Sequence, residues 1–210
     1  FIIDGKEKKE SLFGLIKNTS KANKNSIVSA YSDNVAFIEG PNIVQFQPQF
    51  PDKSSFYINK EIDSIISLKA ETHNFPTTVE PYNGAATGSG GEIRDEGATG
   101  RGAKPKIGLS GYNVSNLRIP NFPRSWEKQE HKPSRIASPL DIMIEAPIGA
   151  AAFNNEFGRP ATLGYFRSFE TSFSENRAYG YHKPIMLAGG IGEIRDKNNF
   201  KLQIDEDYLV

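Results

Sequence analysis

Apolar and polar residues change period several times along this chain, and each change predicts an element. Between residues 11 and 22, Leu12, Phe13, Leu15 and Ile16 cluster on one side of a helical wheel, which predicts a helix. The apolar runs at 27–31 and 35–39 read as strands, and Ser32, Asp33 and Asn34 between them supply the turn chemistry of a hairpin. Residues 44–47 and 56–59 are weaker strand candidates around a proline-containing bend. The clearest strand is 64–71, where Ile66, Leu68 and Ala70 alternate with Ser67, Lys69 and Glu71. Side chains at i, i+2 and i+4 share a face, so Lys69, Glu71 and, if the strand runs on, His73 emerge together on a polar side.

Pro76 and Pro81 then interrupt regular structure, and 84–95 has the length of a helix loaded with glycine. Residues 107–114 read as a strand and 119–135 as a loop containing Trp126. Ser138, Pro139 and Asp141 are the cap, first-turn proline and third-position acid of a helix start, and Gly158 marks its stop. Residues 162–169 and 184–188 predict two more strands, the second ending at Gly189-Gly190-Ile191-Gly192. The sum is a mixed α/β (α+β) fold without the strict alternation of a doubly wound sheet.

A chain of 210 residues makes one large domain or two small ones, and 37% hydrophobic with 24% charged residues is ordinary globular composition. Lys plus Arg and Asp plus Glu number 25 each, so no long-range attraction to nucleic acid or anionic membrane is expected. The absence of cysteine excludes disulfides, thiolate zinc sites and a cysteine nucleophile within these residues. No run approaches the roughly 18 apolar residues of a membrane span, and no signal peptide is present, which leads us to expect a cytoplasmic protein. The chain begins Phe-Ile-Ile-Asp-Gly and ends Tyr208-Leu209-Val210, and reads as an excerpt of a longer protein.

Chemistry concentrates in residues 69–102. Seven of the 19 glycines fall within 84–102, where about one is expected at average usage. Glycine serves close packing and positive φ first. At the start of a helix, however, bare backbone N–H groups also hold phosphate, and Thr87 and Ser89 would add hydroxyl donors. The P-loop pattern fails, since Glu92 follows Gly90-Gly91, and the G-x-G-x-x-G spacing is absent from the run. His73 sits beside Lys69 and Glu71 and can move a proton near neutral pH; His131 and His182 have no assigned role. Glu71 and Asp95 are candidate Mg²⁺ ligands, or else ordinary ion-pair partners of Lys69 and Arg94, and spacing alone leaves both readings open. Arg94 suits bidentate binding of a phosphate or carboxylate. Arg101 between two glycines is a weak RNA-binding signal without aromatic platforms.

Two long stretches resemble one family. Glu71-Thr72-His73-Asn74-Phe75-Pro76-Thr77 and Gly84-Ala85-Ala86-Thr87-Gly88-Ser89-Gly90-Gly91-Glu92-Ile93-Arg94-Asp95, the latter continuing to Lys106, are similar to phosphoribosylformylglycinamidine synthases in their large single-chain form. The stretches 115–120, 152–160 and 182–192 extend the likeness over nearly the whole chain. The resemblance implies ATP-dependent conversion of formylglycinamide ribonucleotide to formylglycinamidine ribonucleotide, through an iminophosphate and glutamine-derived ammonia. It implies the N-terminal half-domain of the aminoimidazole ribonucleotide synthetase superfamily, a mixed sheet with helices on one face. Residues 1–24 would lead in from a linker domain, and 25–210 would be the ATP-binding half.

By the same resemblance His73 is the proton acceptor, Lys69 contacts ATP, Glu71 and Asp95 approach Mg²⁺, and Thr72, Asn74, Phe75 and Arg94 line the substrate. Residues 84–95 face the nucleotide, and Leu163-Gly164-Tyr165 make a further nucleotide contact. The family often carries a second histidine where this chain has Phe75. A glutaminase domain and a second synthetase half are the implied partners, and without them the chain is expected to be inactive and to self-associate through exposed sheet. The alternatives are another synthetase or kinase of the superfamily, or a non-catalytic half-domain.

Overall fold

The computed structural model describes residues 1–128, 132–174 and 177–204; His131 lies outside the described residues. A small hairpin of β1 (Ile2–Ile3) and β2 (Lys6–Glu7) precedes α1 (Leu12–Ala22), whose Ser11 side chain caps Gly14 N–H. No residue of α1 is buried, so its predicted apolar stripe is open. Strands β3 (Ile27–Ser29), β4 (Ala36–Pro48) and β5 (Tyr57–Thr72) follow as antiparallel neighbours. The two weak strand candidates are thus the outer ends of one long β4–β5 hairpin, paired from Ala36↔Leu68 to Pro48↔Tyr57 across a register shift.

The predicted interruption at Pro76 and Pro81 is instead a short helix, α2 (Asn74–Val79), running into α3 (Pro81–Gly97). Both prolines fall in first turns, where a missing N–H costs no helical hydrogen bond. Next come β6 (Lys104–Val114) and α4 (Pro139–Phe157). The α4 start has the predicted capping box between Ser138 and Asp141, and its stop is Gly158 at φ 87°. After β7 (Ala161–Ser168), a separate hairpin of β8 (Glu170–Ser174) and β9 (Arg177–Gly180), not predicted from the sequence, leads to β10 (Ile185–Arg195).

The main sheet has six strands in the order β3-β4-β5-β10-β6-β7. It is mixed: only β6 and β7 run parallel, joined through α4. Helices α3 and α4 pack on each other and on one face of this sheet. A core of Ala85, Tyr112, Val114, Ile142, Ala146, Ala150, Met186 and Ala188 fills that layer, and a second of Val35, Phe37, Ile65, Ala103 and Ile194 lies beside it.

Strand β10 runs through the glycines that the sequence reading took as its end. The reason is tertiary: Gly190 and Gly192 lie on the helix-covered face, where a Cβ would overlap the carboxylates of Glu92 and Glu96. The opposite face carries Leu68 beside Ile191, Leu109 beside Leu163, and Tyr165 over Gly111. Leu68, Leu109 and Ile191 are only half-buried there and Leu163 is 63% exposed, so an apolar sheet surface stands open.

Candidate active site

The polar side of β5 is the covered one. Ser67, Lys69 and Glu71 point under α3, while Ile66, Leu68 and Ala70 take the open face. Asp95, from the last turns of α3, meets them: Lys69 Nζ lies 3.0 Å from Asp95 Oδ2 and 3.3 Å from Glu71 Oε2. The Lys69 and Asp95 side chains are only 9% and 13% exposed. Arg94 donates to Asp95 Oδ1 through Nε (3.1 Å) and Nη2 (3.0 Å) and is otherwise turned to solvent. Asn34, from the turn before β4, adds Nδ2 at 3.3 Å from Asp95 Oδ2; nothing in the sequence had pointed to it.

These contacts set the charges. Burial works against the Lys69 ammonium, but its pairing with the Asp95 and Glu71 carboxylates outweighs it and raises its pKa above 10.5. Burial likewise favours a neutral Asp95, and the hydrogen bonds from Lys69 and Arg94 overcome it, holding the carboxyl below its usual range. Near neutral pH the site therefore holds a charged ammonium and an ionised Asp95. Glu71 Oε2 is buried and has no hydrogen-bond partner, the Lys69 approach being ionic only. Two carboxylates meeting at one ammonium suit a hard cation such as Mg²⁺, which takes one or two protein carboxylates and completes its shell with water and phosphate. Among the described residues no cluster of three such ligands occurs, which disfavours an all-protein metal cage.

His73 follows β5 directly. Its N–H donates to Met186 O at 2.9 Å, and its ring Nδ1 lies 2.6 Å from Gly84 O. A carbonyl only accepts, so in the neutral ring Nδ1 carries the hydrogen and Nε2 keeps its lone pair. Gly88 makes this possible: a Cβ there would stand 2.8 Å from His73 Cβ and 3.0 Å from Met186 Sδ.

The glycine run is the body of α3 rather than its start. The helix opens at Pro81, Gly84 N–H already donates to Glu80 O at 2.7 Å, and the N–H groups that follow lie inside the helix. Glycine serves packing here: Gly84 abuts the Pro76–Thr77 backbone and Gly90 the Phe153 ring. Gly91 alone of these faces the charged cluster, with Glu71 Oε1 4.0 Å from its missing Cβ. The Thr87 hydroxyl donates back to Asn83 O, and Ser89 Oγ is buried without a partner. Ala85 and Ile93 are core, and Ala86 is half-buried.

The other named residues are more scattered. Asn74 Oδ1 accepts from Met186 N–H at 3.0 Å, tying α2 to β10, and Phe75 is 54% exposed. Thr72 pairs with Leu187 on the open face, and Leu163 and Tyr165 lie on that same face of β7, away from Lys69. Gly164 turns the other way, against Ser110 O.

Beside the cluster lies a network that sequence reasoning missed. Arg159 contacts Glu92 through Nη2 and Glu96 through Nη1 at 3.4 Å, and its Nε donates to Asn154 Oδ1 at 2.8 Å. Ser67 Oγ donates to Glu96 Oε1 at 2.6 Å. All five residues are buried. The available signals were the i, i+4 spacing of the two glutamates and the small residues at 190 and 192, which leave room for them.

No family model matches the chain. Among solved structures it is similar to Thermotoga maritima PurL complexed with ATP, at 27% identity over 65% of this chain and 18% of that chain, with TM-score 0.44. The same PurL complexed with ADP gives 23% identity over 87% of this chain and 22% of that chain, TM-score 0.46. AaThiL complexed with AMPPCP and TMP gives 13% identity over 87% and 41%, TM-score 0.46. The chain spans less than a quarter of the length of these PurL chains.

Proposed function

We propose that this chain is the ATP-binding half of a synthetase module of the aminoimidazole ribonucleotide synthetase superfamily. Its reaction is the amidation of formylglycinamide ribonucleotide: ATP phosphorylates the amide oxygen, and glutamine-derived ammonia displaces phosphate from the iminophosphate. One observation carries the reading. A charged ammonium and two carboxylates meet between β5 and α3, and His73, two residues beyond Glu71 on the same side, rests its ring Nδ1 on Gly84 O nearer the start of that helix.

Phosphoryl transfer needs positioning and charge neutralisation above all. Mg²⁺ held by Glu71 and Asp95 would supply neutralisation of the ATP phosphates. Lys69, held protonated by Asp95 and Glu71, would meet a phosphate as a cation. Arg94, largely exposed, has N–H groups left for the substrate phosphate. His73 holds its ring through Gly84 O and offers Nε2 to the proton that leaves as the new C–N bond forms. Asn74 and Phe75 follow on the same turn. Leu163-Gly164-Tyr165, on the other side of the sheet, would reach a nucleotide only through a cleft completed by a second half.

The open apolar face fits cover by such a half, and by a second copy when the chain stands alone. The test of the reaction is replacement of His73 by Ala in a protein carrying both halves, with ammonia, ATP and formylglycinamide ribonucleotide supplied. We expect formylglycinamidine ribonucleotide formation to fall by about 10² or more, the usual worth of a positioned acid–base group. Near-normal synthesis by a folded variant would sink the proposal.

A further inference from the structure

We propose that Arg159 is a positioning residue for Asp95, acting through Glu92 and Glu96 to fix the rotation and register of α3. The inference rests on the reading of Glu71 and Asp95 as a divalent-cation site.

Glycines occupy positions 84, 88, 90, 91 and 97 of α3, so its surface is nearly smooth. Helices normally hold register by interlocking side-chain ridges with grooves, and a row of glycines has little ridge to interlock. It also gives up more backbone entropy on ordering than other residues do. What projects from α3 onto Gly190 and Gly192 of β10 is the pair Glu92 and Glu96, one helical turn apart and both 0% exposed. A single guanidinium bridges them, and it is itself held by Asn154. Arg159 follows the left-handed Gly158, its N–H donates to Asn154 O at 2.9 Å, and Asn154 Nδ2 donates to Ala150 O at 2.8 Å. The anchor therefore belongs to the end of α4 and grips α3 from the side.

Asp95 precedes Glu96 directly, about 100° away around the helix axis. With Glu92 and Glu96 gripped on the β10 side, Asp95 is turned to the β5 side, against Lys69 and Glu71. Sliding α3 by one turn moves every side chain about 5.4 Å, which would break the Arg159 contacts and carry Asp95 out of reach of Glu71. The glycines opposite complete the device, because only bare backbone at Gly190 and Gly192 admits the two carboxylates. A buried ion cluster is weak evidence of stabilisation, since apolar replacements of similar volume often stabilise as well or better. A fixed helix register is what a fork-shaped cation adds.

The test is Mn²⁺ binding, followed by electron paramagnetic resonance on the full chain, beside urea unfolding of each variant. Arg159→Met alone leaves two buried carboxylates without their cation and threatens folding. The decisive variant is therefore Glu92→Gln/Glu96→Gln/Arg159→Met, which removes the charges together. We expect it to fold but to bind Mn²⁺ about 10- to 100-fold more weakly, the usual range for losing an outer-shell partner of a metal ligand. Arg159→Lys should fold and give a smaller loss, because one ammonium cannot bridge both glutamates. A folded triple variant, or a folded Arg159→Lys, that binds Mn²⁺ as tightly as the unaltered chain would overturn the positioning role. Unaltered chain that binds no Mn²⁺, or binds it equally with Asp95→Asn, would overturn the cation site and this inference together.

Discussion

Glu96 gives the sharpest quantitative expectation. Burial pushes its carboxyl from 4.5 up to about 7; the neighbouring Glu92 adds to the rise, while Ser67 and Arg159 act against it. In the protonated form Glu96 can donate to Glu92, whose Oε1 is buried without a partner. Between the unfolded and folded pKa the native state holds a proton that the unfolded chain has lost. Stability therefore falls as pH rises, by about 1.4 kcal/mol per pH unit, and levels off above the folded pKa. Across pH 5.5 to 8, clear of the acid range in which Asp95 and Glu170 titrate, the drop from this group is roughly 2 kcal/mol. Glu96→Gln keeps the shape and cannot ionise. Urea unfolding at several pH values should show the slope in the unaltered chain and its loss in the variant, with the two diverging most at pH 8. An equal slope in both would refute the assignment of the proton to this network.

Other consequences are more local. Gly192→Ala places a Cβ onto the Glu96 carboxylate and 2.6 Å from Ser67 Oγ; denaturant unfolding should register a loss of about 1–3 kcal/mol, typical of overpacking. Gly158→Ala forces a side chain into φ 87° and should cost about 1 kcal/mol, read as a lowered melting temperature with Mn²⁺ binding retained. Leu163→Asp puts a charge on the open sheet face and should turn self-associated chain into monomer in sedimentation experiments. Assembly unchanged by that substitution would mean that the chain associates through another surface.

The sequence was most legible where local chemistry decides structure. Ser138, Pro139, Asp141 and Gly158 bracket α4 because capping depends on neighbours within a few residues. Alternation in β5 correctly put Lys69 and Glu71 on one side, yet alternation cannot say which side is covered. The polar side is the covered one: α3 lies on it and supplies Asp95, 24 positions beyond Glu71. The same blindness ended β10 too early at Gly189-Gly190. The reason for glycine there is a carboxylate from α3, and no window of local sequence contains both. Residues 84–95 showed the reverse limit. Their composition suggested donors for phosphate, while in the helix the glycines mostly seat α2, His73 and Phe153. The i, i+4 glutamates hinted at the Arg159 network, but its members come from β5, α3 and the end of α4 and are brought together only by packing.

The inverted polarity of the sheet also bears on how the molecule is put together. Because the charged groups lie between sheet and helix, they complete one another within a single folding unit. The greasy surface waits on the outside. The charged cluster and the open apolar surface thus occupy opposite sides of the same six strands. Substitutions on the outer surface can therefore accumulate while Lys69, Glu71 and Asp95 keep their distances, so the two faces are free to diverge at different rates.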